Sequence, residues 1–154
     1  MPHNLHIVLV QPEIPSNTGA IGRLCLATGT SLHLIEPLGF QINDTQLKRA
    51  GLDYWPHLDV RRHKTLDAFF QSIPRQAPKV FFSKKSTASF FDHRFEAGSY
   101  LFFGRETRGL PQELLAAYPG RTFRIPQYDS RVRSINLSNA VGVAVYEAIR
   151  QLGP

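Results

Sequence analysis

The residues best suited to chemistry lie at 125–139, IPQYDSRVRSINLSN. Asp129, Ser130, Arg131, Arg133, Ser134 and Asn136 make a polar stretch that leads straight into a helical pattern. Ser134, Asn136 and Ser138 place short side-chain oxygens where the first N–H groups of a helix lack partners. Two readings account for them. A capped terminal helix uses one such oxygen and leaves the others, and both arginines, without a role. A loop that offers donors and acceptors to a ligand uses them all, at a helix N-terminus where free N–H groups and the dipole favour anions.

Two more polar segments sit in comparable places. EIPSNTGAIGR (13–23) and GRETRGLP (104–111) each follow an apolar run of strand length. In an open parallel sheet, ligands lie beyond the carboxyl ends of the strands. The three segments are therefore expected to converge. No P-loop or nucleophile-elbow sequence is present. The six histidines are scattered without HxxxH spacing and there is no cysteine pair, so no zinc site is expected. Asp44, Asp53, Asp59, Asp67 and Asp92 form no recognisable metal cluster and read as caps and surface charge.

Strands and helices must position these segments. Residues 5–10, LHIVLV, read as a strand, after which Pro12 and Pro15 keep the chain extended. Ser16 or Asn17 is expected to cap a helix that runs through Ala27 and stops at Gly29. A strand at 31–35, a short helix at 44–50 and an edge strand at 59–62 follow. Thr65 caps a helix carrying Leu66, Phe69, Phe70 and Ile73. A strand at 79–83 leads to a loop with one helical turn at 84–99, and another strand occupies 100–103. Pro111 suits the first position of a helix reaching Tyr118, and the last strand covers 121–126. Leu137, Ala140, Val141, Ala144, Val145, Ala148, Ile149 and Leu152 then recur on one helical face. Strands alternating with helices predict an α/β fold, a mostly parallel sheet with helices on both faces. Val143 and Tyr146 lie off the main apolar face of the last helix, and Ile21 and Leu24 flank Gly22 on the first. A two-fold homodimer built on these two helices is expected.

A chain of 154 residues has the length of one domain. Its hydrophobic share of 42% and charged share of 19% suit a soluble globular protein. No apolar run reaches transmembrane length, and no secretory leader precedes the first strand, so a cytoplasmic placement is expected. Cys25, the single cysteine, reads as a buried small hydrophobe and excludes an internal disulfide. The net charge of +6 gathers at Lys48-Arg49, Arg61-Arg62-His63-Lys64 and Lys84-Lys85, and at Arg108 with Arg121, Arg124, Arg131 and Arg133. Such clusters can be a solvated basic surface; they also suit a polyanion, most simply nucleic acid. No basic amphipathic helix points to a membrane surface.

NTGAIGR (17–23), FGRETRGLP (103–111) and IPQ (125–127) followed by VRSINLSNAVGVAVYEAIRQ (132–151) resemble, in order, the three motifs of the SPOUT class of S-adenosylmethionine-dependent RNA methyltransferases. With IEPLGFQINDTQLKRAGLDYW (35–55) the chain is most similar to the TrmL (YibK-like) branch, which methylates the ribose 2′-oxygen of the tRNA wobble nucleotide. The resemblance spans 1–154 and implies a single SPOUT (alpha/beta knot) domain with a C-terminal trefoil knot and no accessory RNA-binding domain. It also implies a homodimer that acts on the tRNA anticodon stem-loop, with S-adenosylmethionine as co-substrate and no metal. The donor is then expected against Phe82, Gly104, Glu106, Gly109, Ile125 and Ser134. Arg23, Asn17, Glu106, Ser134 and Asn136 are the catalytic candidates. Arg23 would act as base or, more in keeping with a guanidinium, hold a phosphate and steady the emerging alkoxide. Glu106 would hold the ligand loop or a water, or cap the helix after it. Arg105, where relatives often carry a small residue or proline, would add a phosphate contact. The alternatives are the same chemistry at another tRNA or rRNA position, and a non-catalytic RNA-binding module.

Overall fold

The computed structural model describes residues 3–43, 45, 49 and 53–153; the helix expected over 44–50 falls largely outside them. Among the described residues the fully bounded elements are, in order, β1 (His6–Val10), α1 (Pro15–Thr28), β2 (Ser31–Ile35), β3 (Val60–His63), α2 (Leu66–Ser72), β4 (Lys79–Phe82), β5 (Tyr100–Phe103), α3 (Gln112–Ala117), β6 (Thr122–Phe123) and α4 (Leu137–Leu152). Single 3₁₀ turns occupy Trp55–His57 and Phe90–Asp92, the latter being the helical turn expected within 84–99.

All strand pairs are parallel, in the order β3-β2-β1-β5-β4-β6. The central strands are apolar on both faces because both are covered. Successive side chains alternate. Ile7 and Leu9 pack with Ile21, Cys25, Val141, Ala144, Val145 and Ala148 beneath α1 and α4. Val8 and Val10 pack with Phe69, Phe81, Phe102 and Leu114 beneath α2 and α3. Burial pushes the Cys25 thiol up to about 12, which leaves it an inert core group. β3, at one edge, carries exposed Arg61 and Arg62, charges that discourage further strand pairing.

Three expectations are corrected. α1 begins two residues earlier than a Ser16 cap allows: Ile14 is its N-cap, Pro15 its first residue, and no side chain of its own caps it. Proline's fixed φ suits that position, and Ser16 and Asn17 fall inside the first turn. Gly22 does not await a second chain's helix. A Cβ there would lie 2.8 Å from Trp55 Cζ3, so the glycine admits the indole of its own chain. The last strand shrinks to Thr122–Phe123, and beyond it Arg124 bonds through its backbone to Ala88 and Phe90.

Three of the scattered histidines meet. His6, His33 and His63 lie on β1, β2 and β3. His6 Nδ1 is 3.0 Å from His33 Nε2, and His33 Nδ1 is 3.1 Å from His63 Nε2. Burial lowers His33 to about 3 and His6 to about 4, so the chain of rings is neutral near pH 7.

Candidate active site

β1 and β5 run side by side although their starts, His6 and Tyr100, lie 94 residues apart in sequence, and the strand order turns back at this pair. The crevice beyond their carboxyl ends is where ligands bind open sheets. The loops leaving the two strands are clasped there by two exchanged carboxylates. Glu106 accepts from Glu13 N–H at 2.8 Å and Ile14 N–H at 2.9 Å. These donors belong to the uncapped start of α1, so Glu106 supplies from the β5 loop the anion that α1 lacks. Glu13 in turn accepts from the Thr107 hydroxyl at 2.8 Å and Thr107 N–H at 3.1 Å. Those hydrogen bonds, the hydroxyl's foremost, hold its carboxyl below the usual range. Arg105 Nη2 stands 3.5 Å from the same carboxylate, so its guanidinium serves the clasp.

From Glu106 a hydrogen-bonded chain crosses to α4. Asn17 Nδ2 donates to Glu106 Oε2 at 3.3 Å, and Asn136 Nδ2 donates to Asn17 Oδ1 at 3.1 Å. Asn136 Oδ1 accepts the N–H groups of Ser138 at 2.9 Å and Asn139 at 3.3 Å, which caps α4. The cap is therefore Asn136 and not Ser134. Among the described residues the Ser134 side chain has no hydrogen-bond partner, and the residue is exposed at the cleft. Glu106 likewise caps α1 and not the helix that follows it. That part was illegible in sequence, because the partners lie 89 to 93 residues apart.

Residues 105–109 close a tight turn through Gly109 N–H to Arg105 C=O at 2.8 Å. A Cβ on Gly104 would sit 2.0 Å from Gly109 C, so this glycine lets the loop cross its own backbone, and Gly109 is required by its φ of 71°. Both line a cleft of about 650 Å³, within the usual range for small-molecule sites. Its walls are apolar at Phe82, Phe103, Leu110, Ile125, Leu137 and Ala140, and Asn17, Glu106, Ser134 and Asn136 open onto it. Lys84, Lys85, Arg105, Arg108 and Arg133 also line it. Sequence reasoning marked most of these cations only as charge clusters; their place after a strand was the signal that they face the site.

Of the expected site residues only Arg23 does not line the cleft. It is six residues beyond Asn17, and about 600° of helical rotation turns it to another face of α1. There it is exposed, its guanidinium 4.9 Å from the centre of the Tyr54 ring.

The SpoU rRNA Methylase family matches residues 4–146. The chain belongs to this family. It is 51% identical over 155 residues to the tRNA (cytidine(34)-2'-O)-methyltransferase of Yersinia pestis, covering 97% of this chain and 94% of that one. A solved structure concerned with the 2-OH methylation of C/U34 on tRNA superposes with a TM-score of 0.93 at 54% identity, covering 99% and 98% of the two chains. The AdoMet-bound rRNA methyltransferase of Sinorhizobium meliloti superposes at 0.85 with 25% identity, over 100% of this chain and 59% of that one. Within the family fold, the arrangement offers an apolar slot, a rim of cations suited to phosphates, and a free hydroxyl beside two rigidly held amides.

Proposed function

We propose that this protein transfers a methyl group from S-adenosylmethionine to the ribose 2′-oxygen of nucleotide 34, cytidine or uridine, in the tRNA anticodon loop. The observation that carries this reading is the single cleft in which Asn17, Glu106, Ser134 and Asn136 come together under a basic rim. The names of the relatives supply the target. A single-stranded loop exposes both base and 2′-hydroxyl to a protein, as this target requires.

The residues present fit such a donor. Phe82, Ile125 and Leu137 offer apolar surface for an adenine, Gly104 and Gly109 bring backbone to the wall, and the Ser134 hydroxyl is uncommitted. When bound, S-adenosylmethionine supplies a methyl group on a sulfonium, open to displacement by an oxygen. A ribose hydroxyl is a weak nucleophile and must be oriented and relieved of its proton. Ser134 binds donor or ribose directly. Asn136, with Asn17 behind it, aims its amide from the start of α4, and Glu106 fixes that pair. Arg23 works only if it enters the cleft from another chain, where it steadies the alkoxide and a neighbouring phosphate. This reading includes a homodimer, supported by exposed Val143 and Tyr146 on α4. It also includes one cytoplasmic SPOUT domain with a C-terminal knot. Gln151, near the end of α4, bonds to His93 C=O at 3.0 Å and Phe95 N–H at 2.9 Å, tying α4 to the β4–β5 connection.

The test is nucleoside mass spectrometry of tRNA after incubation with protein and labelled donor. Labelled 2′-O-methylcytidine or 2′-O-methyluridine at position 34 is expected. Unlabelled tRNA, or label elsewhere, would overturn the proposal.

A further inference from the structure

We propose that Tyr128 is a stacking platform for an unpaired base of the RNA substrate, beside the nucleotide that enters the cleft. This deepens the methyl-transfer reading above and rests on it for the identity of the RNA. Tyr128 is 92% exposed, more than any other large hydrophobic residue among those described. The turn beneath it is held by bonds of its own. Val132 N–H donates to Asp129 C=O at 3.4 Å, Gln127 Nε2 to Val132 C=O at 3.3 Å, and Arg131 N–H to Asp129 Oδ1 at 2.9 Å. Arg131 also pairs through its guanidinium with Asp129 at 2.6 Å. The turn's backbone is fixed in this way, so binding has only the two χ angles of the ring to order.

The position of the turn points to nucleic acid. Gln127, next to Tyr128 in sequence, and Arg133, five residues on, line the cleft, so the turn that carries the ring borders it. Among the described residues Lys84, Lys85, Arg108 and Arg133, all on that cleft, have no carboxylate within ion-pair distance. Aromatic faces beside unpaired cations are the combination that binds single-stranded RNA, bases on the rings and phosphates on the cations. A protein partner suits Tyr128 less, because its sequence neighbours are Gln127, Asp129, Ser130 and Arg131, whereas Val143 and Tyr146 share α4 with the apolar core face. The ring reads no particular base, since every base has a π-face. It fixes the position of the strand and so raises affinity without touching the reacting atoms.

The experiment uses the full chain, an anticodon stem-loop RNA with 2-aminopurine at successive loop positions, and Tyr128→Ala, Tyr128→Phe and Tyr128→Trp variants. The wild-type protein should quench the probe at one loop position beside nucleotide 34, Tyr128→Ala should not, and the two aromatic variants should. In methyl transfer, Tyr128→Ala should raise the KM for RNA about tenfold while kcat and donor affinity hold. The exposed ring predicts an unchanged thermal midpoint. Wild-type quenching and KM in Tyr128→Ala would overturn the proposal, as would failure of Phe and Trp to rescue. So would an altered sedimentation coefficient, which would assign the ring to a protein interface. If the wild-type protein quenched the probe through Tyr128 yet moved no methyl group, the platform would stand and the methyl-transfer reading would fall.

Discussion

Glu106→Gln separates a carboxylate that clasps the site from one that takes part in the chemistry. Glu106 accepts three hydrogen bonds, from Glu13 N–H, Ile14 N–H and Asn17 Nδ2. A glutamine keeps the shape but has one acceptor oxygen. Its favoured orientation retains the oxygen toward Ile14 and Asn17, where two donors converge, and turns its amide N–H against Glu13 N–H. One hydrogen bond to a charged group is lost, about 1.5–3 kcal/mol. The anion at the start of α1 is lost too, at roughly 0.3–1 kcal/mol. The sum is about 2–4 kcal/mol. At about 2–4 °C per kcal/mol for a domain of this size, the thermal midpoint should fall by about 4–16 °C. Glu106→Asp retains the charge and should recover part of the loss. The assay is thermal unfolding paired with donor titration and single-turnover transfer at a temperature where all variants are folded. Transfer should fall only modestly, because the neutral oxygen still holds Asn17, and through it Asn136, though more weakly than a carboxylate, while donor affinity changes little. A Glu106→Gln protein that melts with the wild type but loses donor affinity would refute the clasp and make Glu106 a donor ligand.

Ser134→Ala should leave the thermal midpoint unchanged, since the hydroxyl has no partner, and lower single-turnover rate or donor affinity about a hundredfold. Asn136→Ala should instead cost about 1 kcal/mol in chemical unfolding through the lost cap, as well as transfer rate; two variants with wild-type rates would return the loop to a purely structural role. Arg23→Ala should abolish transfer and spare donor affinity measured by calorimetry, and a matching loss of donor binding would contradict the role assigned to it. Stability should fall as pH drops from about 6.5 toward 4, because His6 and His33 take protons in the unfolded chain that the folded rings refuse. Each contributes a slope of about 1.4 kcal/mol per pH unit, to be read from denaturant midpoints at pH 7, 6 and 5; a flat profile would show the rings titrating normally.

Local chemistry left clear traces in the sequence. The apolar runs at β1, β4 and β5 lie within or one residue beyond their observed bounds, and the period of α4 runs to Leu152 as expected. Gly29 stops α1 with a φ of 66°. The motif order identified a family whose site lies on three loops, and parallel strands bring those loops together. What stayed hidden depends on distant partners. Asn17 looks like a cap because Ser and Asn usually cap; it is released from that task by a carboxylate 89 residues away. His6, His33 and His63 show no motif spacing because their neighbourhood is set by strand adjacency. Arg23 has the right chemistry, but helical rotation turns it from the cleft that its motif neighbours line.

The exchanged carboxylates also bear on how such enzymes could be re-engineered. Glu13 and Glu106 each satisfy the backbone of the loop that carries the other. A recognition loop transplanted from a relative into either position would leave the resident glutamate facing N–H groups it no longer matches. The two loops are thus one heritable unit in two pieces. A chimera that exchanges 11–14 and 104–109 together should fold where either single exchange destabilises the chain, and substitutions in one loop should be tolerated only alongside compensating ones in the other.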